Sequence, residues 1–415
     1  MDGTWQQNYT NPALVPQQRF FFSFPSISTS LNTNISSTEN LFIINGSTLT
    51  SNFSNYVDNI DNDLFVRFDL ALEPLAFGFK TKNIHWTVNS ALKSYAHVST
   101  GATKDFFNLI LKGNEAFLWQ TVQVDPEAKF GVYQEYGLGA SIAFGSTLKV
   151  GARAKYLVGL GTVETTTSRL ALTTSDEYYQ LNFNGDIGVN IGGAPEIIDI
   201  DSTAGELDIN GFPNNRGAAL DLGATFNIGD KYRVSASILD IGGITWNENG
   251  QNVRLQGDFD FDGVDISGYI LGDDDEISNP LDSLEDSYTF SSNPSTFSTS
   301  LSPKLYVSGV MFLDKGFQVG IVLRNEFTDL GVLTGFGVNI QKQFGKWLGL
   351  GLMYSIQNGT YSNVGANISL KLGPVQMFAV SDNLLVAFNP LAGSNTNIRF
   401  GMNIALNEKD DFEEE

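Results

Sequence analysis

From Leu148 onward the side chains change character at every step. Leu148, Val150, Ala152, Ala154, Tyr156, Val158 and Leu160 fall on one side, and Lys149, Gly151, Arg153, Lys155, Leu157 and Gly159 on the other. A two-residue period is that of a β-strand with unlike faces. It returns where Val364, Ala366, Ile368, Leu370 and Leu372 oppose Asn363, Gly365, Asn367, Ser369 and Lys371, and again from Asn397 to Leu406. Tyr136 to Phe144, Leu220 to Ile228, Tyr232 to Ile238, Phe317 to Leu323, Phe336 to Ile340 and Leu348 to Tyr354 read the same way. The chain is a mostly antiparallel all-β protein.

The two faces differ in a way that soluble sheets do not. The apolar face carries no charge within a strand, while the polar face is largely Gly, Asn and Ser with isolated charges. Lys or Arg at lipid depth costs about 2–4 kcal/mol. Backbone groups in hydrocarbon need internal partners, so a sheet that spans must close on itself. The pattern therefore predicts a closed transmembrane β-barrel with its polar face inside. Joins alternate in length. Gly229-Asp230, Asp314-Lys315-Gly316, Phe344-Gly345-Lys346 and Asn358-Gly359 are short and polar, as hairpin turns should be. Loops near 191–217 and 242–296 are long and rich in Asp, Asn, Ser and Gly, which puts the long loops on one side.

Composition excludes several alternatives. The 46 acids against 24 Lys and Arg leave a formal charge of −22, which argues against a nucleic-acid partner and against simple adhesion to anionic lipid. There is no cysteine, hence no disulfide or thiolate metal site. The 42% hydrophobic content excludes disorder despite 42 glycines. No apolar run is long enough for a membrane helix. Met1-Asp2-Gly3-Thr4-Trp5 lacks the basic start and apolar stretch of a signal peptide, so an exported chain would be the mature form.

The chain divides into residues 1–18, polar and irregular and able to act as a plug, a single barrel over 19–407, and an acidic tail at 408–415. A helical insert near 103–114, read from Lys104 to Lys112 and stopped by Gly113-Asn114, is apolar nearly all round. It is expected to be buried inside the lumen.

Asn11-Pro12-Ala13 followed by a Phe-rich strand resembles the start of barrels related to the long-chain fatty acid transporter. The chain is also similar to an uncharacterised Bacteroidota family of outer-membrane barrels. That likeness covers Lys104-Asp105-Phe106-Phe107 to Lys112-Gly113-Asn114, then Tyr133 to Gly139, Leu148 to Leu157, and Gly373-Pro374-Val375-Gln376 through Asp382-Asn383 to Gly401. The resemblance implies about fourteen strands and an outer-membrane address, with outer-membrane lipid as surroundings. It implies no activity. The wider relatives include transporters of hydrophobic compounds and an accessory barrel of the type IX secretion apparatus.

Lumen-parity charges are Lys149, Arg153, Lys155, Arg233, Arg324 and Arg399, with Glu135, Asp221 and Glu326 as counter-charges. They read either as a selectivity lining or as an ion-paired core tying strands to a plug, since buried charges need partners. Asp258-x-Asp260-x-Asp262-Gly263 copies the first half of a calcium loop, but Tyr269 stands where the closing acid belongs. The plainer reading is a strand with its aspartates on one face. Apart from that half-loop no cofactor is expected. Trp347, Tyr354, Tyr361 and Phe20 to Phe22 read as interface aromatics. His85 and His97, the only histidines, sit in no catalytic signature, and no G-x-S-x-G or H-E-x-x-H occurs. A non-enzymatic barrel follows. It is either a channel or transporter for small, hydrophobic molecules, or a docking barrel whose loops recruit an outer-membrane or secretion partner.

Overall fold

Fourteen alternating segments pair edge to edge, each antiparallel to the next. They are β1 (Phe20–Thr33), β2 (Phe65–Thr81), β3 (Ile84–Ser99), β4 (Glu127–Phe144), β5 (Leu148–Thr174), β6 (Arg216–Ile228) and β7 (Tyr232–Trp246). The ring continues with β8 (Lys304–Phe312), β9 (Phe317–Thr328), β10 (Gly331–Phe344), β11 (Leu348–Gln357), β12 (Thr360–Leu372), β13 (Val375–Ser381) and β14 (Asn395–Leu406). β14 then pairs back onto β1, from Phe20 opposite Leu406 to Asn32 opposite Asn395. Closure leaves no edge strand in the ring. The structure, a computed structural model, describes residues 4–16, 18–34, 42–45, 48–51, 64–99, 101, 104–175, 180–193, 214–261, 288–328, 331–357, 360–384, 386 and 395–406.

The apolar parity faces outward and stays uncovered. Leu352 is 60% exposed and Ile368 46%, with Val150, Leu222, Val234 and Ile340 also exposed round the ring. An apolar belt of this extent is the surface a bilayer covers. The opposite parity is buried inside, as at Glu135, Arg153, Ser355, Asn363 and Asn403.

Six short joins, after β2, β4, β6, β8, β10 and β12, lie at the end where β1 starts and β14 stops. The longer connections lie at the other end. Two brief joins are found there too, between β9 and β10 and between β11 and β12. Asn358-Gly359 therefore belongs to the long-loop end, its two residues outside the described ones.

Of the six register shifts among the described strands, three bear most on which residues face inward. The pairing slips between Phe24 and Ile27 in β1, next to Pro25, and between Leu72 and Leu75 in β2, next to Pro74. Proline has no N–H to give a ladder, which is why these slips fall where they do. The third lies where Leu220 and Leu222 of β6 face Ile241 and Ile238 of β7. There Asp240 takes φ +60° and turns from the outward parity to a buried, inward position.

The long loops are not wholly loops. β5 has 27 residues and leaves its ladder with β6 at Val158. Beyond that point it needs new partners. Leu181–Gly193 pairs with it, Gln251–Phe261 pairs with Leu181–Gly193, and Tyr288–Pro294 pairs with Gln251–Phe261. Thr121–Val124 adds to the far end of β5. A sheet thus projects past the rim, built partly from the stretches 191–217 and 242–296 that read as loops; residues 194–213 and 262–287 lie outside the described ones.

The helix Lys104–Lys112 (α1) is not in the lumen as expected. Its Leu109 packs with Phe117 and Val122, and Phe106 and Leu172 lean on that cluster. Among its described side chains, Leu109 is thus buried against Val122 of the projecting sheet.

Replacing Ile368 with Arg is expected to cost about 2–4 kcal/mol and to block assembly, while Asn367→Arg, on the inward parity, is tolerated. The check is the fraction of protein in membranes that migrates faster unboiled than boiled.

Candidate functional site

The lumen is crossed by ion pairs rather than open. Arg67 of β2 reaches Glu326 of β9 at 2.7 Å, although these strands stand at opposite positions of the ring. A circular ring of fourteen strands about 4.8 Å apart and tilted about 40° would be on the order of 28 Å across. Two side chains cannot bridge that distance. The barrel is flattened where β2 faces β9, and the pair is a brace across it.

The brace continues as a chain. Glu326 also takes Arg324, and Lys304 at 3.9 Å. Lys304 holds Asp240 at 2.7 Å, and Asp240 holds Lys155 at 2.5 Å. Lys155 contacts Asp221 at 2.8 Å and Glu135 at 3.7 Å. Lys93 closes on Glu135 at 2.5 Å, and Arg67 on Asp69 at 3.0 Å. Buried charges cost several kcal/mol each unless paired, and every carboxylate of this chain of pairs (Asp69, Glu135, Asp221, Asp240 and Glu326) meets at least one cation. The central cavity, about 550 Å³, is lined by eight Lys or Arg and nine Asp or Glu. The chain's acid excess therefore lies outside the lumen. Between the charges run Tyr95, Tyr133, Leu301, Tyr306 and Met353, so the lining is mixed rather than purely polar.

The residues before β1 occupy the short-turn end of this lumen. Trp5 stacks on Phe21 at 4.5 Å and buries Ala76 with it. Gln6 and Asn403 exchange amide hydrogen bonds at 2.8 and 2.9 Å. Asn11 donates to the carbonyls of Ala224 and Ala236, both at 3.1 Å, and Ser237 donates to the carbonyl of Thr10 at 2.5 Å. Two glycines make room. A Cβ at Gly223 would lie 2.1 Å from Asn11 Oδ1, and one at Gly151 would lie 2.4 Å from the Pro12 carbonyl. Arg153 joins the two systems. It pairs with Asp221 at 3.2 Å and donates to the Asn8 carbonyl at 2.6 Å. The guanidinium groups of Arg153 (5.7 Å) and Arg399 (5.2 Å) both approach the Tyr9 ring, which faces the cavity.

Of the charges singled out by parity, Arg153, Lys155, Glu135, Asp221, Arg324 and Arg399 line the cavity, as does Glu326. Lys149 and Arg233 do not. They sit at the short-turn rim, where Arg233 bonds Asn227 at 3.2 Å and covers the Phe312 ring; their parity is right but their height is wrong. Sequence reasoning missed Arg67, Asp69, Lys93, Asp240 and Lys304. The first three had the alternation signal. Asp240 was hidden by its bulge, and Lys304 opens a strand that follows a long polar stretch. Glu73, also missed, is buried beside the Pro74 bulge.

Asp258 and Asp260 share one face of the projecting sheet, where the Asn182 amide donates to them at 2.6 and 2.8 Å. An N–H donor thus stands between the two carboxylates, and Asp262 lies outside the described residues. His97 lines the cavity beside Phe65, and His85 packs near Phe21.

Glu326→Ala takes one carboxylate from Arg67, Lys304 and Arg324 and leaves Arg324 without an ion-pair partner among the described residues, and a loss of about 3–5 kcal/mol is expected. Arg254→Ala, which breaks the exposed pair with Asp186, should leave the unfolding midpoint in denaturant unmoved. Gly223→Val should expel the N-terminal segment, read as new protease cleavage before residue 19 with the barrel intact.

Among solved structures, the chain is similar to the Ralstonia pickettii toluene transporter TbuX, at 10% identity over 97% of this chain and 94% of that one, TM-score 0.46. A Pseudomonas aeruginosa FadL homologue gives 8% identity over 97% and 94%, TM-score 0.44. The Pseudomonas putida toluene transporter TodX gives 8% over 97% and 93%, TM-score 0.41. Likeness at this level carries no argument about what this chain binds. No curated protein matches the sequence. A family model does, over residues 12–382, a span that takes in part of the N-terminal segment and all but the last barrel strand: the chain belongs to the DUF5723 family, a family of unknown function.

Proposed function

We propose that this protein is a gated uptake barrel of the bacterial outer membrane, passing small molecules that carry both an apolar part and a polar group. The observation that supports it is a lumen with two unlike ends. A cavity of about 550 Å³ reaches from residues near the long-loop rim, such as Lys129 and Thr328, down to Tyr9. At the short-turn end the chain's own N-terminal segment lies across the path. That segment is held by stacking, amide pairs and two guanidinium contacts, all of which can be broken and remade. A permanently sealed scaffold has no use for a cavity of this size above so separable a closure. Mixed lining suits an amphipathic cargo, because the tyrosines and Leu301 cover its apolar part while the paired charges offer donors and acceptors.

A docking role is the second reading, and the projecting sheet favours it. Its outermost strand, Tyr288–Pro294, stands away from the ring and is mostly exposed.

Purified full-length barrel in planar bilayers is expected to be nearly silent, while a variant lacking residues 2–16 conducts steadily. If that variant runs as a folded, heat-modifiable barrel and still passes no current, the gating role fails and the docking role gains.

A further inference from the structure

An acidic chain carries a basic collar. Each of the six short joins brings at least one cation to the same end of the barrel, for example Lys82, Lys149, Lys231, Lys315, Lys346 and Lys371. Taken with Arg19, the spans 79–84, 144–149, 228–233, 312–317, 342–347 and 371–375 hold ten Lys or Arg and two acids, Asp230 and Asp314. Ten of the chain's 24 cations thus stand in one band at a single height, in a protein whose formal charge is −22.

Aromatic rings share that band. Lys342 Nζ lies 4.0 Å from the centre of the Phe317 ring and 5.7 Å from that of Phe344, and it donates to the Lys315 carbonyl at the very end of the barrel. This is a lysine whose stem follows the apolar wall while its charge reaches the interface. Arg19 stands over Phe20 at 5.6 Å. Trp347, beside Lys346, is 54% exposed. Aromatic rings with an apolar body and a polar edge settle at headgroup depth.

We propose that the short-turn collar binds the anionic phospholipid headgroups of the leaflet it faces, one phosphodiester at a time, around the whole circumference. This rests on the membrane reading above. Two features select lipid over an acidic protein. The cations are spread over all six joins rather than gathered on one side, and the exposed ring beside them is what acyl chains and headgroups meet. A protein partner would need a contiguous patch.

The test uses the full chain in nanodiscs of phosphatidylcholine containing a minor share of phosphatidylglycerol, with native mass spectrometry of the lipids retained after extraction. Phosphatidylglycerol is expected at about five times its bulk share, the partition ratio given by one surface cation per lipid. The combined variant Lys82→Gln, Lys231→Gln, Lys315→Gln and Lys346→Gln, which removes four of the ten cations, should retain clearly less phosphatidylglycerol than the wild type, and the wild type in high salt should fall close to bulk composition. A wild type indifferent to lipid charge, or a variant as enriched as the wild type, overturns the collar. Insertion into pure phosphatidylcholine, read by heat-modifiable migration, scores the membrane reading separately; its failure would remove both.

Discussion

Everything in this molecule follows from the need of each backbone N–H and C=O for a partner where water is absent. A strand in hydrocarbon cannot leave an edge, so β14 must find β1, and it does so along nearly the full length of both. Where β5 outruns its neighbour the same need acts in water, less severely, and recruits Leu181–Gly193 and Gln251–Phe261 into a projecting sheet. Proline and bulges appear where the ladder can tolerate them, and each bulge then decides which side of the wall a side chain faces. Asp240 is the clearest case: one residue in a left-handed conformation moves a carboxylate from the lipid side to the interior.

Flattening follows from charge. A wide, round lumen would leave inward Arg and Glu side chains in water, weakly paired. Bringing β2 against β9 lets Arg67 meet Glu326 and lets one chain of ion pairs run through Lys304, Asp240 and Lys155 to Arg153. Such networks are sensitive to the loss of any member, since a remaining charge has no partner and no solvent. Arg153 makes that sensitivity matter to the closure, because the same guanidinium that pairs with Asp221 holds the Asn8 carbonyl and one face of Tyr9. Wall, brace and N-terminal segment are one connected system.

Net charge misleads for this chain. The excess of acids argues against contact with anionic lipid if charge is treated as uniform. Placed on the barrel, the lumen is almost balanced and the six short joins are basic, so the excess acids are carried by other segments of the chain. Electrostatic attraction is screened within about 8–10 Å at ordinary ionic strength, so each end of the barrel presents its own charge to its surroundings.

Much of this was legible in the order of residues. The two-residue period of Leu148–Leu160 and Val364–Leu372 declares a strand with unlike faces, and uncharged outer faces declare lipid. Closure into a ring follows from both, and parity alone marks Glu135, Arg153, Lys155 and Asp221 as interior. Height in the barrel is a different quantity, set by shear and register between strands. That is why Lys149 and Arg233 share the parity of Arg153 yet lie outside the cavity. Partners are decided the same way: nothing in the neighbourhood of Arg67 names Glu326, and α1 advertises a need for burial without saying where. A local pattern determines which face a side chain takes, because the pleat repeats every two residues. Only the folded ring decides which faces meet, because contact across a lumen depends on how distant strands are curved and aligned.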